Sequence, residues 1–351
     1  MLTRYPDYYD RFHCLAGQCP DTCCGQWNIV VDAASKARYD AMEGPLGDRL
    51  RAAMTVVEGE NCIVPVNGRC PMLTDDNLCA VILEQGAGAL CVTCDEHPRF
   101  TEIYGGLQEV TLALSCPKAA ELLLDRTEPL TFLTRSDDTP PEPNDLDPDL
   151  FRVLLTSRDT AIAIAQDRDC PLSDRLALLI CFADRLDRNL HNPRLCSELC
   201  KLYCSARYRA RQLIRIKRLR HFGTMTAARQ MLLTMEHLQP DFAFQVQELE
   251  KVELEAHALR LEHLTVYYLY RWWLKAACDG CLWQQAAAAV ISVLCIAGLG
   301  KIVGDVKDAA RLYAKEVEHS EANLHLLRKA MELPPFSRDR ILAILEVPHA
   351  V

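Results

Sequence analysis

Eight of the ten cysteines in the first third of the chain constrain its folding more than any other feature. They run Cys14, Cys19, Cys23, Cys24, then Cys70, Cys79, Cys94 and Cys116. They sit in short phrases: CCGQW at 23–27, GRCPML at 68–73, CDEHPRF at 94–100 and LSCP at 114–117. Thiolates this dense in one module usually hold a structural metal or an iron–sulfur cluster. The whole chain carries 18 cysteines. Its first residues, MLTRYPDYYDRFHC, show no apolar stretch before a cleavage site, so no signal peptide is expected. Without secretion, a disulfide framework is not expected either.

The segments around these cysteines are short and mixed. WNIVVD (27–32) and NCIVPV (61–66) have strand composition, and the NGRC that follows suggests a turn. AASKARYDAMEG (33–44), AVILEQ (80–85) and CPKAAELLLD (116–125) read as helical. LQEVTLAL (107–114) fits either a strand or a helix start. Residues 127–149 are rich in proline and acid and read as a linker or surface loop. From about 150 onward, apolar residues recur at helical spacing, and Ser173 and Asp174 look like an N-cap pair. The apolar run at 286–300 is short for a bilayer span and reads as a buried core helix. The expected fold class is mainly α: an irregular cysteine-rich module at 1–126 (α with little β), a linker at 127–149, and a larger helical domain at 150–351. Half the residues are apolar, and the net charge is −9. That suits a soluble globular protein and argues against general nucleic-acid binding.

On spacing alone, iron–sulfur and zinc both remain open for the cysteine set, with a subset of four thiols as ligands. Adjacent residues rarely both point at one metal, so one of Cys23 and Cys24 either packs or serves a second site. The C-x3-C-x2-C spacing of radical enzymes is absent, and so are the glycine-rich phosphate loops.

The order F-x-C (12–14), C-x3-CC-x2-W (19–27), GRCPML, Cys94 followed by Pro98-Arg99, and SCP (115–117) resembles the flagellin lysine-N-methylase family of bacteria. A wider set of small cysteine-cluster proteins with zinc- or iron-binding centres shares part of the pattern. The resemblance covers roughly residues 5–125. It implies a cytoplasmic enzyme that uses S-adenosylmethionine and a [4Fe–4S] cluster to methylate lysine on flagellin, with no membrane insertion. Zinc is the alternative metal. The alternative functions are a non-catalytic, metal-stabilised binding module and an iron–sulfur electron carrier. One departure is local: family members tend to carry a basic or aromatic residue where this chain has Asp95-Glu96-His97, which bears on substrate preference.

Methyl transfer to lysine needs a neutral amine and therefore a proton acceptor. Asp95, Glu96, His97 and Tyr104 are the candidates. Arg99 and Trp27 are candidates for contacting the donor. Three other features favour bland readings. Cys196, Cys200 and Cys204 form a helical stripe expected to pack, and Cys278-x2-Cys281 is likewise expected in the core. His237, His257 and His263 are expected on surfaces or in satisfied core positions. Nine Lys/Arg and no acid lie between Lys201 and Arg229. Among them are Arg207, Arg209, Arg211, Arg215, Lys217, Arg218 and Arg220, which form either a solvated helix face or a dock for an acidic partner.

Overall fold

The computed structural model describes residues 1–25, 27–218, 223–250 and 252–345, with the Arg218 side chain also outside the description. Strand β1 (Leu2–Pro6) leads through two short 3-10 turns to β2 (Ile29–Val30). Helices α1 (Ala33–Asp40) and α2 (Gly44–Ala53) follow, then the hairpin strands β3 (Met54–Val57) and β4 (Glu60–Ile63). An irregular stretch ends at α3 (Ala80–Gln85) and α4 (Val92–Glu96). Strands β5 (Arg99–Tyr104) and β6 (Leu107–Leu112), helix α5 (Pro117–Leu124) and strand β7 (Phe132–Ser136) complete this half. The remainder is helical: α6 (Pro148–Ala165), α7 (Leu172–Asp187), α8 (Pro193–Cys204), α9 (Ala206–Arg218), α10 (Thr226–Leu233), α11 (Pro240–Gln247), α12 (Ala258–Trp272), α13 (Ala276–Asp279), α14 (Leu282–Val303), α15 (Val306–Tyr313), α16 (Glu321–Ala330) and α17 (Arg338–Ile344). The mainly helical expectation holds, and the described strands all lie within the first 136 residues.

Two small sheets organise that first part. One has the order β5-β6-β1-β7, with β1 parallel to β6 and antiparallel to β7; the other has the order β2-β4-β3. The ambiguous segment at 107–114 is thus a strand. The segment expected to be wholly linker contains β7, because its backbone satisfies the open edge of β1 along Leu2–Pro6. Its Phe132 stacks on Tyr270 of α12 at 4.2 Å.

There are two hydrophobic cores. The larger surrounds α14, which is apolar on every side and therefore must be enclosed. Most of α14 is buried, although its length and composition alone would let it cross a membrane. Tyr8, Tyr104, Leu112, Leu114 and Leu123 join this core from the first part of the chain. The smaller core lies between the three-stranded sheet and α1–α3, and has Ile29, Tyr39, Leu50, Ile63, Cys70 and Cys91 among its members.

One buried charge network joins the two parts, and a second lies within the helical part. Glu109 on β6 accepts two hydrogen bonds from Arg158 on α6, at 2.6 and 2.5 Å. At the end of α15 the helix widens into a π turn, Ala314–Glu318, which brings Lys315, Glu316 and Glu318 inward together. Glu316 then accepts from the amides of Leu238 and Gln239 ahead of α11, at 2.8 and 2.9 Å. Glu318 pairs with Arg271 and accepts from Tyr267 and Tyr268.

Candidate metal centre and active site

The cysteine loops are held against one another by backbone contact. A side chain at Gly25 would meet the Gly68 carbonyl at 2.2 Å, so only glycine lets the Cys23–Cys24 loop lie on the 66–69 turn. That turn uses left-handed backbone at Asn67 and Gly68, as its NGRC sequence suggested. The Cys70 amide closes the contact by donating to the Cys24 carbonyl at 2.8 Å.

This arrangement divides the thiols into two groups. Cys24, Cys70, Cys79, Cys91 and Cys94 all pack in or against the smaller core. Cys14, Cys19, Cys23 and Cys116 lie outside it, and Cys116 packs on the larger core instead. Electrostatic contact follows the same division: Cys23 feels Cys14 and Cys116, and Cys116 feels Cys19 and Cys14. Cys23 and Cys24 straddle the boundary, with their sulfurs 4.0 Å apart. The hydrogen bond within that pair draws the Cys24 thiol down to about 7 and pushes Cys23 up. A matching bond draws Cys91 down to about 7 against Cys94. Cys91 went unnoticed in the sequence, although Cys91-x2-Cys94 has metal-ligand spacing. All the cysteines are free thiols. As the side chains stand, no three His, Cys, Asp or Glu among the described residues are close enough together to hold an ion. The donor set is nevertheless that of a soft-metal or iron–sulfur site.

Beside the outer thiol group, the cysteine loops meet the helical part at a polar and aromatic seam. Asp21, between Cys19 and Cys23, accepts from Lys315 at 2.6 Å and also from Arg311. Ser115, next to Cys116, shares a 2.7 Å hydrogen bond with His319 Nε2. His319 stacks on Trp27 (ring centroids 5.5 Å apart, planes 18° apart) and lies 5.7 Å from Phe100 and 6.1 Å from His97. The Arg271 guanidinium lies 3.7 Å over the Phe100 ring. Burial, then the positive charge of Arg99, lowers the His97 pKa to about 4. Burial, followed by His97, Arg271 and Lys315, does the same to His319. Both imidazoles are neutral at neutral pH. His97 Nε2 is sealed from solvent and has no hydrogen-bond partner.

Of the sequence candidates, Trp27 and His97 therefore stand in the seam. Arg99 is exposed nearby, 5.6 Å over Phe12. Asp95 and Glu96 are exposed on α4. Tyr104 is buried against Phe151, and burial pushes its phenol far above the ordinary range. His319, Lys315, Ser115, Asp21 and Arg271 were missed. Each is an isolated residue in the sequence, and only folding gathers them.

Several other expectations resolve here. Cys196 and Cys200 are buried as expected, but Cys204 is exposed. Cys278 is also exposed rather than in the core, because it closes the short α13 at the surface. His263 is buried, His237 half-buried and His257 exposed. In the basic stretch, Arg209 pairs with Asp167 and Lys217 with Asp174, while Arg207, Arg211 and Arg215 face solvent. Arg220 and the Arg218 side chain lie outside the described residues. A separate cleft of about 400 Å³ is lined by Asp184, Asp187, Trp283 and Arg338 among others.

Fold and site together define a mainly helical protein in which cysteine-bearing loops lie beside a seam of buried imidazoles and aromatic rings. Residues 158–345 match the family described as the FliB lysine N-methylase C-terminal domain, and because the match takes in more than half of the chain, the chain belongs to that family. It is similar to the lysine-N-methylase of Salmonella typhimurium, 28% identical over 133 residues, covering 34% of this chain and 32% of the relative. The lysine-N-methylase of Salmonella choleraesuis matches to the same extent. The flagellar biosynthetic protein FliU of Salmonella muenchen is 27% identical over 133 residues, covering 34% of this chain and 75% of that protein. The chain spans about a third of the length of the first two relatives. No solved structure matches it.

Proposed function

We propose that the chain is a cytoplasmic, S-adenosylmethionine-dependent protein lysine N-methyltransferase acting on flagellin, with a [4Fe–4S] cluster held in its N-terminal module. Family membership across residues 158–345 carries this reading. The printed names of its relatives, lysine-N-methylase and flagellar biosynthetic protein, support the reaction and the substrate. Of the eight thiols expected to supply ligands, Cys14, Cys19, Cys23 and Cys116 suit the cluster best, because they flank the seam. When bound, the cluster supplies the iron–thiolate bonds that fix the seam loops.

The substrate lysine nitrogen attacks the methyl carbon of the donor's sulfonium. The carbon–sulfur bond breaks with its electron pair going to sulfur, and the nitrogen gives up one proton. Of the candidate bases, His97 stands in the seam with a ring nitrogen that has no hydrogen-bond partner, and it is the one assigned to take that proton. The Arg99 guanidinium fits the donor's carboxylate, and the Trp27 ring is the aromatic surface for its adenine.

The test uses full-length protein purified without oxygen, radiolabelled S-adenosylmethionine and flagellin. Label on flagellin lysines is expected. His97→Gln should lower kcat by roughly 10²–10⁴-fold with little change in KM. Metal-replete protein that leaves flagellin unlabelled sinks the reading. The strands described here do not form the doubly wound parallel sheet common among nucleotide-binding enzymes, which favours the second reading, a metal-stabilised binding module without chemistry. Calorimetry separates the two, since that module binds no S-adenosylmethionine.

A further inference from the structure

We propose that the protein substrate docks as an extended segment that adds a strand to the open edge of β5 and carries its lysine to the seam, an inference that rests on the methyltransferase reading above. Strand β5 is outermost in its sheet and, among the described residues, pairs only with β6. Their register runs from Arg99↔Leu112 to Tyr104↔Leu107, closed by the two-residue turn Gly105-Gly106. The pair flanking such a turn exchanges both ladder hydrogen bonds, and bonded pairs then alternate along the strand. The Ala113 amide donates to the Pro98 carbonyl at 2.6 Å, which continues the alternation one step beyond β5. Phe100, Glu102 and Tyr104 therefore turn their backbone groups towards β6, and Arg99, Thr101 and Ile103 turn theirs outward. These three residues are exposed, and their backbone groups have no hydrogen-bond partner among the described residues. A row of unmet amides and carbonyls is a template for another strand. At the far end the Glu142 amide donates to the Gly105 carbonyl at 3.0 Å, so the open stretch stops at the turn.

Continuity with the seam singles out this edge. Of the edge strands β2, β3, β5 and β7, only β5 places a ring there: Phe100 lies 5.7 Å from His319, and His97, two residues before the strand, lies 6.1 Å from the same ring. Residues directly opposite one another on neighbouring strands share a face of the sheet. A substrate lysine opposite Phe100 therefore points to the face on which Phe100 meets His319. The residues on either side of that lysine point the other way, alongside the exposed Arg99 and Thr101. Main-chain hydrogen bonds serve any extended sequence, so the edge supplies affinity and the seam selects the lysine.

Hydrogen exchange on the full chain with excess flagellin is the first test. The amides of Arg99, Thr101 and Ile103 should slow by about tenfold or more. In a lysine-bearing flagellin peptide that binds, backbone N-methylation at successive residues should weaken binding with a period of two, since only alternate amides of an added strand face β5. Thr101→Pro removes one outward amide and spares the ladder to β6. It should raise KM for flagellin about tenfold, with the Kd for S-adenosylmethionine unchanged. Amides left unslowed by excess flagellin, or N-methylation effects without that period, would overturn the proposal. So would slowing that follows protein concentration without flagellin, the mark of two copies of this chain pairing at the edge. Flagellin that protects the edge yet gains no methyl group refutes the methyltransferase reading and leaves the docking intact; methyl transfer with the edge unprotected does the reverse.

Discussion

Arg158 is wholly enclosed, and its charge is tolerable only because Glu109 meets it with two hydrogen bonds. Removing one partner leaves a buried charge unpaired, so Glu109→Gln or Arg158→Met should cost about 3–5 kcal/mol in urea unfolding. Replacing both with apolar residues should cost much less than the sum, and a double-mutant cycle reads the difference. His263 shows the same physics through pH. Its Nε2–H donates to the Glu128 carbonyl at 3.2 Å, and its Nδ1 has no partner. Burial holds its pKa down at about 4, against the charges of Glu262, which raise it. The fold therefore favours the neutral ring. That stability is fully present above the unfolded pKa near 6.5 and is lost as pH falls towards 4. His263→Asn should flatten the fall of the urea midpoint between pH 7.5 and 4.5, though not abolish it, because His97 and His319 shift in the same direction. Nothing in the sequence separates these histidines from surface ones; burial and partners do that.

At the scale of elements, α7 shows where local signals mislead. Ser173 and Asp174 read as its N-cap, but the helix already begins at Leu172. The amides of Leu172 and Ser173 donate to the Glu255 carboxylate, each at 3.0 Å, and Asp174 instead accepts from Lys217 at 2.8 Å. A cap supplied from 83 residues away satisfies the same orphan amides as a local one. Glu255→Ala should therefore cost about 1 kcal/mol, and Ser173→Ala far less, in thermal unfolding. Helix α14 was legible, since an unbroken apolar run has to be enclosed. The spacing between α14 and α15 was not. A methyl group on Gly300 would meet Val306 Cγ2 at 2.9 Å and its Cα at 3.1 Å. Gly300→Ala should destabilise by about 1–3 kcal/mol through overpacking, with partial rescue by Val306→Ala.

Across the whole molecule, the cysteine loops are clamped to the helical part by Asp21, which Arg311 and Lys315 both reach. Lys315 is almost fully buried, so Asp21→Asn leaves a cation without its counter-charge. Faster proteolysis within residues 12–28 is expected, while amides in α14 stay as protected as before. Equal cleavage in both proteins would show that the clamp is not needed. What the sequence determined by itself was local or compositional: the thiol-rich start, the helical remainder, the strands at 29–30 and 60–63, the buried character of α14. Each depends on neighbours in the chain, through periodicity, turn residues and apolar content. Only the tertiary structure decided that residues 132–136 pair with β1, that Cys24, Cys70, Cys79, Cys91 and Cys94 gather at one core while Cys14, Cys19, Cys23 and Cys116 do not, and that His97, Trp27 and His319 meet. Those outcomes come from contacts between distant segments, where steric fit and the need to pair buried charges and amides select one arrangement, and no local pattern records that choice.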